Sequence, residues 1–374
     1  MKRFKQLLAL VCVVGCLNLV ACSKSGEQTT TSQTDVTQQV TGATTITAAT
    51  DGRAQTSENA TLDQLYAEFD AAMKAQIGEV PSEHKPLKVG ALIISTTNPF
   101  WVNMEKFYKQ AAAELDIDLT VQAGTTEGDT QAQLNALLTM ADQDYQVIIV
   151  SPIEGSNLIP GIVKCNEKGI KVINLGPGVD TKALEEAGGH LDAKITVDFA
   201  EQGNTVAEDL TKRIPDGKVA VLAGLAGAAQ SEGRSKGFTD YLAEKQGYTL
   251  VGTTNCDWDA TKAYEATKNY LSSNPDLKAI FACNDQMALA AVEALKDAGK
   301  QDVLVYGVDY IEDAKQAIKQ GSMTGTMSYS SERYTKAALQ MCILLNEDKN
   351  LPKVVYLPLT LITTENVNDL VNWQ

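Results

Sequence analysis

Only two histidines, His84 and His190, occur in 374 residues, and aromatic side chains make up 6%. With so few imidazoles, and with cysteine spacings that fit no zinc pattern, no metal centre is expected. The chain contains no G-x-S-x-G, no Walker A loop and no H-E-x-x-H, so common nucleophile, phosphate and metalloprotease signatures are missing. Gly176-Pro177-Gly178 follows an apolar run but lacks a third glycine and has proline at the turn, which argues against a dinucleotide cradle. Neither catalysis nor a cofactor is expected. Basic side chains are also short: 32 Lys and Arg face 47 Asp and Glu, a formal net charge of −15. Such a chain is repelled by nucleic-acid phosphates and by anionic lipid headgroups, so DNA binding is excluded.

Long apolar runs are absent except at the start. Lys2, Arg3 and Lys5 precede the stretch from Leu7 to Val20, which is too short to span a bilayer and reads as an export signal. The Leu19-Val20-Ala21-Cys22 that closes it resembles a bacterial lipobox. That resemblance implies cleavage after residue 21 and a lipid on Cys22, attaching the chain to the outer face of the cell membrane without spanning it. Residues 22–58, rich in Thr, Ser and Gln, bury too little apolar surface to offset ordering and read as a flexible tether. Thr61 and Gln64 then form a capping-box pattern. Leu62, Leu65, Tyr66, Phe69 and Met73 recur at helical spacing up to Gly78, so 59–86 is expected to be an amphipathic helix and linker packed on the main body.

From Leu87 onward strand-like and helix-like patterns alternate. Apolar runs at 87–94, 119–123, 146–151, 171–175, 218–223, 249–255, 278–283 and 303–308 are separated by amphipathic stretches such as 101–115 and 261–271. Alternation of this kind predicts parallel sheets with helices on both faces, an α/β fold. The segment is longer than one core usually fills, so two lobes are expected, with the break near Val197-Asp198. Short strands at 324–328 and 354–359 around a helix at 332–345 would carry the chain back between lobes. This gives lobes of 87–197 plus 330–359 and 198–329 plus 360–374. Of seven cysteines, Cys165 and Cys342 fall in helical patterns and read as core; whether Cys256 and Cys283, each at a strand end, form a disulfide is left open.

Ligands of open parallel sheets bind outside the carboxyl ends of the strands. Asn284 ends the run AIFAC and Asp309 ends VLVYGV, so both are site candidates, while Asp285 is expected to cap the following helix.

Several stretches resemble type I periplasmic binding proteins, in particular the ribose-binding group of sugar transporters. They are Asn98-Pro99-Phe100-Trp101, VIIVSP at 147–152, GRSKGF at 233–238, Asn255 to Asp259, FACNDQMALAAVEAL at 281–295, GVD at 307–309 and ITTENV at 362–367. The resemblance covers about three-quarters of the chain. It implies two Rossmann-like lobes joined by three hinge strands, closing on a solute and delivering it to an ABC permease; a monomer is expected. It also implies ligand contacts by Asn98, Phe100, Trp101, Trp258, Asn284 and Asp309. Other positions depart from the pattern: Gly176-Pro177 replaces an Asp-Arg pair, Glu232 replaces an arginine, and Tyr329 replaces a glutamine. The expected pocket has Asp309 and Glu232 as acceptors, aromatic walls, Gly176 and Tyr329, and no matched basic residue. Aromatic faces with hydroxyl-binding groups suit a sugar or polyol. Carboxylates with aromatic walls would also suit an amine-bearing cation. A ligand-sensing role would use the same fold and pocket.

Overall fold

In the computed structural model, residues 61–373 can be described; the expected export signal, the expected lipid site Cys22 and the expected tether lie outside the described residues. Helix α1 (Leu62–Ile77) comes first. Then β1 (Lys88–Ile93), α2 (Pro99–Glu114), β2 (Asp118–Ala123), α3 (Thr130–Met140), β3 (Val147–Val150), α4 (Ile159–Glu167), β4 (Lys171–Leu175), α5 (Thr181–Glu186) and β5 (Ala193–Thr196) alternate. Helix α6 (Phe199–Arg213) leads into β6 (Gly217–Ala223), α7 (Ala229–Ala243), β7 (Tyr248–Asn255), α8 (Ala260–Ser273), β8 (Leu277–Ala282) and α9 (Asp285–Asp297). The chain finishes with β9 (Leu304–Val308), α10 (Glu312–Lys319), β10 (Gly325–Ser328), α11 (Ser331–Asn346), β11 (Val354–Tyr356) and β12 (Thr360–Thr363).

The apolar runs become central strands: β3 is buried at every position, and β1, β4 and β8 at all but one. Two six-stranded sheets result, in the orders β11-β5-β4-β3-β1-β2 and β12-β10-β9-β8-β6-β7. Every pairing in the first is parallel. In the second only the β10–β12 edge is antiparallel. The chain passes from the first sheet to the second between β5 and β6, returns between β10 and β11, and crosses again between β11 and β12. In each sheet the order reverses beside the first strand, between β1 and β3 and between β6 and β8. These switch points are where a parallel sheet opens a crevice. Strands β5 and β12 were not anticipated. Each has four residues and sits at or next to a sheet edge, too short for a periodic signature.

Helix α1 forms as its capping box dictates: Gln64 N donates to Thr61 Oγ1 at 3.4 Å and Thr61 N to Gln64 Oε1 at 2.9 Å. Its buried face is Leu65, Phe69, Met73 and Ile77. Tyr66 stacks on Trp373 with ring centroids 5.2 Å apart, and Phe69 meets the same indole edge-on at 5.1 Å. Trp373 is fully buried and its Nε1 donates to Ser328 Oγ at 2.9 Å. At the other end, Gln76 exchanges hydrogen bonds with the backbone of Tyr356 at 2.7 and 2.9 Å. The helix is thereby fixed to β11 of the first sheet and to the C-terminal segment beside β10 of the second. Replacing Trp373 with alanine should cost about 3–5 kcal/mol, as large aromatic truncations in cores do, read from the midpoint of urea unfolding.

All four cysteines among the described residues are buried and free, so Cys256 and Cys283 are not joined. Cys165 lies in α4 and Cys342 in α11, both fully buried. Among the described residues no helix is long and apolar enough to cross a membrane.

Candidate functional site

One cavity lies where the carboxyl ends of both sheets meet. It is narrow, with a volume of about 40 Å³. Loops after β1, β2 and β4 line it from one side, and elements following β6, β7, β8 and β9 from the other. Of the nine residues expected from the sequence, Asn98, Phe100, Trp101, Gly176, Trp258, Asn284, Asp309 and Tyr329 line this cavity. Glu232 does not.

Aromatic side chains form the walls. Phe100 sits edge-on to Trp101 at 5.0 Å and to Tyr329 at 5.7 Å, and Tyr329 continues the array to Tyr334 at 5.6 Å. Opposite, Trp258 is carried by a turn in which Asp257 and Trp258 have φ of 53° and 64°. Its six-membered ring lies against Gly224 at the end of β6, where a Cβ would overlap the indole. Glycine at 224 therefore lets the tryptophan lie flat across the strand end.

The polar groups come from strand ends. Asn284 caps α9, its Oδ1 accepting from Met287 N at 2.9 Å, while its buried Nδ2 has no partner in the protein. The cap and the unpartnered donor are thus different atoms of one amide. Asp285 is not the cap. Its carboxylate accepts from Ile311 N at 2.9 Å and Thr326 Oγ1 at 2.7 Å, because the buried first turn of α9 packs on the loop after β9. That anchorage holds a turn in which Asp309 and Tyr310 both have positive φ, 117° and 56°. Such backbone is costly for residues other than glycine, and concentrates at functional positions. Gly307 allows the approach, since a Cβ there would overlap the Asp285 carboxylate.

Arg234 corrects the expectation of a pocket without a basic group. It is buried, donating from Nε to Gln202 Oε1 at 2.8 Å and from Nη1 to Cys283 O at 2.6 Å, with Nη2 3.8 Å from Asp309 Oδ1. Glu232 is exposed on the other side of α7, its Oε1 accepting from Gly227 N at 3.2 Å. Two residues along a helix is roughly 200° of rotation, so Glu232 cannot share a face with Arg234. Gln230, a full turn before Arg234, does face the cavity, and its buried Oε1 has no protein partner.

Glu127, in the loop between β2 and α3, was not anticipated. It accepts from Asn98 Nδ2 at 3.2 Å and from Trp101 Nε1 at 3.2 Å. Its position four residues beyond a strand end was the available signal. Burial raises its pKa, opposed by the bonds from Asn98 and Trp101 and by the charge of Arg234. Asp309 is pushed up to about 7, first by burial and also by the negative charge of Glu127, while Arg234 opposes the shift. Burial likewise pushes Asp285 well up, with Asp309 adding to it.

Two parallel-sheet lobes with an aromatic-walled polar cavity at their switch points define a clamp for a small solute. Residues 89–349 match the family described as periplasmic binding protein domain. The chain is 32% identical over 257 residues to the D-allose-binding periplasmic protein of Escherichia coli (strain K12), covering 68% of this chain and 83% of that one. It is 28% identical over 257 residues to the xylitol-binding protein of Mycolicibacterium smegmatis, covering 68% and 70%. It is also similar to the crystal structure of an ABC transporter periplasmic solute-binding protein from Actinobacillus succinogenes 130z with bound D-allose. The TM-score is 0.73 at 30% identity, covering 76% of this chain and all of that one. The chain belongs to the periplasmic binding protein family, and its function is substrate binding.

Proposed function

We propose that the chain captures a neutral monosaccharide or small polyol between its lobes and presents it to an ABC permease at the outer face of the cell membrane, tethered by a lipid on Cys22. The lobes are residues 87–197 with 330–359, and 198–329 with 360–374. The observation that carries this reading is the convergence of groups from both sheets on one narrow cavity. Phe100, Trp101 and Tyr329 face Trp258 across it, and flat apolar faces suit the C–H face of a sugar ring. Asp309 accepts, Asn284 Nδ2 donates and Gln230 Oε1 accepts, the pairing needs of hydroxyl groups. Arg234 inside the cavity weighs against an amine-bearing cation, whose charge it would oppose.

A ligand held by both lobes binds the closed arrangement selectively, which is what shifts a population toward closure. Relatives named for D-allose and xylitol, and a similar structure with bound D-allose, support the same ligand class. Thermal unfolding of the mature chain with D-allose, D-ribose, xylitol and a panel of quaternary amines tests it. A bound sugar at ~100 times its Kd should add about 2.7 kcal/mol of stability. A shift with the amines alone would overturn the sugar assignment.

A further inference from the structure

Resting on the sugar or polyol reading above, we infer that Glu127 is the first lobe's hydroxyl acceptor and sets specificity, while Asn98 serves to position it. Both ends of the Asn98 amide are already engaged within the protein. Its Oδ1 accepts from Phe100 N at 2.9 Å, capping α2, and its Nδ2 is spent on Glu127. The amide therefore fixes the start of α2 and the carboxylate together.

Glu127 keeps more accepting capacity. A carboxylate offers about four acceptor sites, and the two donors from Asn98 and Trp101 fall chiefly on Oε1, with Oε2 sharing only the Asn98 amide at 3.2 Å. Oε2 retains accepting capacity, on a residue that lines the cavity. The two donors also lock the side chain. Asn98 is N-cap of the helix that carries Trp101, so the carboxylate is tied to the same rigid element that supplies the aromatic wall. Asp129, two residues on, accepts from Ala132 N at 2.9 Å and pins the other end of the loop to α3.

Across the cavity stand Asp309 and Arg234, both close enough to influence one another and Glu127 electrostatically. A ring between the lobes would thus meet a carboxyl acceptor on each side, Glu127 from the first and Asp309 from the second. Such a pair selects ligands whose hydroxyls project from opposite edges of the ring, and rejects analogues that lack the donor facing Glu127.

The test uses the most tightly bound of D-allose, D-ribose and xylitol, together with its complete monodeoxy series, titrated against wild type, Glu127→Gln and Glu127→Asp. Glutamine keeps one oxygen for Asn98 and Trp101 but no charge. The parent sugar should bind Glu127→Gln about ten- to a hundredfold more weakly, the scale of a lost charge-assisted hydrogen bond. One deoxy analogue should bind wild type weaker by a similar factor, yet lose less than about twofold further in Glu127→Gln, because the contact is already gone. Glu127→Asp, whose charge is retained on a shorter arm, should keep the same analogue preference at reduced affinity. Uniform weakening of every analogue by both variants would make Glu127 a positioning residue only and overturn the inference. Wild type that binds none of the three parents would instead sink the sugar reading, and this inference with it.

Discussion

Asp309→Asn should bind sugar about a hundredfold more weakly or worse, and the ligand-free variant should lose part of the fall in stability that the wild type shows as pH rises through about 7. Asparagine has nearly the same shape and tolerates positive φ better than most residues, so the turn at 309 and 310 is kept. What it loses is a charged acceptor, whose hydrogen bonds to hydroxyls contribute about 1.5–3 kcal/mol each. The difference in pH dependence follows from the proton equilibrium. The Asp309 pKa is raised by burial from an ordinary 3.8 to about 7, so the folded chain holds this proton more tightly than the unfolded chain. Its contribution is therefore fully present below about pH 4 and is lost as pH rises through about 7. Urea midpoints measured across that window should fall for the wild type relative to Asp309→Asn, and Asp285, also raised, adds a slope of the same sign in both proteins. Sugar affinity of the wild type should weaken by up to about tenfold per pH unit below 7, because the ionised carboxylate is the binding form.

Arg234→Ala is the second large effect, and it acts on both stability and binding. The guanidinium satisfies Gln202, the carbonyl of Cys283 and the charge of Asp309, all from within the protein. Removing one partner of such a buried set typically costs about 3–5 kcal/mol, since the remaining groups stay buried without compensation. Arg234 also opposes the upward shift at Asp309. Without it the carboxyl should stay protonated at neutral pH, and sugar binding should be lost there. Arg234→Lys should fold better but bind poorly, because an ammonium cannot reproduce a planar fork reaching several acceptors. Urea midpoints and titrations on both variants check this. Unchanged stability in Arg234→Ala would mean that the long 3.8 Å contact and its two companions contribute little.

Most of the sheet framework could be read from the chain because central parallel strands are buried on both faces and appear as continuous apolar runs, VIIV at 147–150 being the clearest. Strands of four residues that are not wholly apolar give too little periodicity to read, so Ala193–Thr196 and Thr360–Thr363 emerged only in the structure. Asn284 and Asp309 were legible as strand-end residues because topology alone places strand ends at the crevice. Residues whose aim depends on helix phase or loop path were not. Glu232 and Gln230 exchange roles according to where α7 begins, at Ala229, and the sequence alone does not set that rotation. Glu127 enters through the path of a loop that Asn98 and Trp101 hold in place. Asp285 looked like a cap because of its type, but the cap is Asn284 and Asp285 stabilises the turn that presents Asp309.

The most direct measurement is calorimetric titration of the chain with D-allose, D-ribose and xylitol at pH 8, alongside Asp309→Asn. Saturable one-to-one binding of at least one of them by the wild type, lost in the variant, is the result expected if a neutral sugar or polyol bridges the two lobes at Asp309. Sugar binding that survives intact in Asp309→Asn, or a protein that takes up quaternary amines and no sugar, would contradict it.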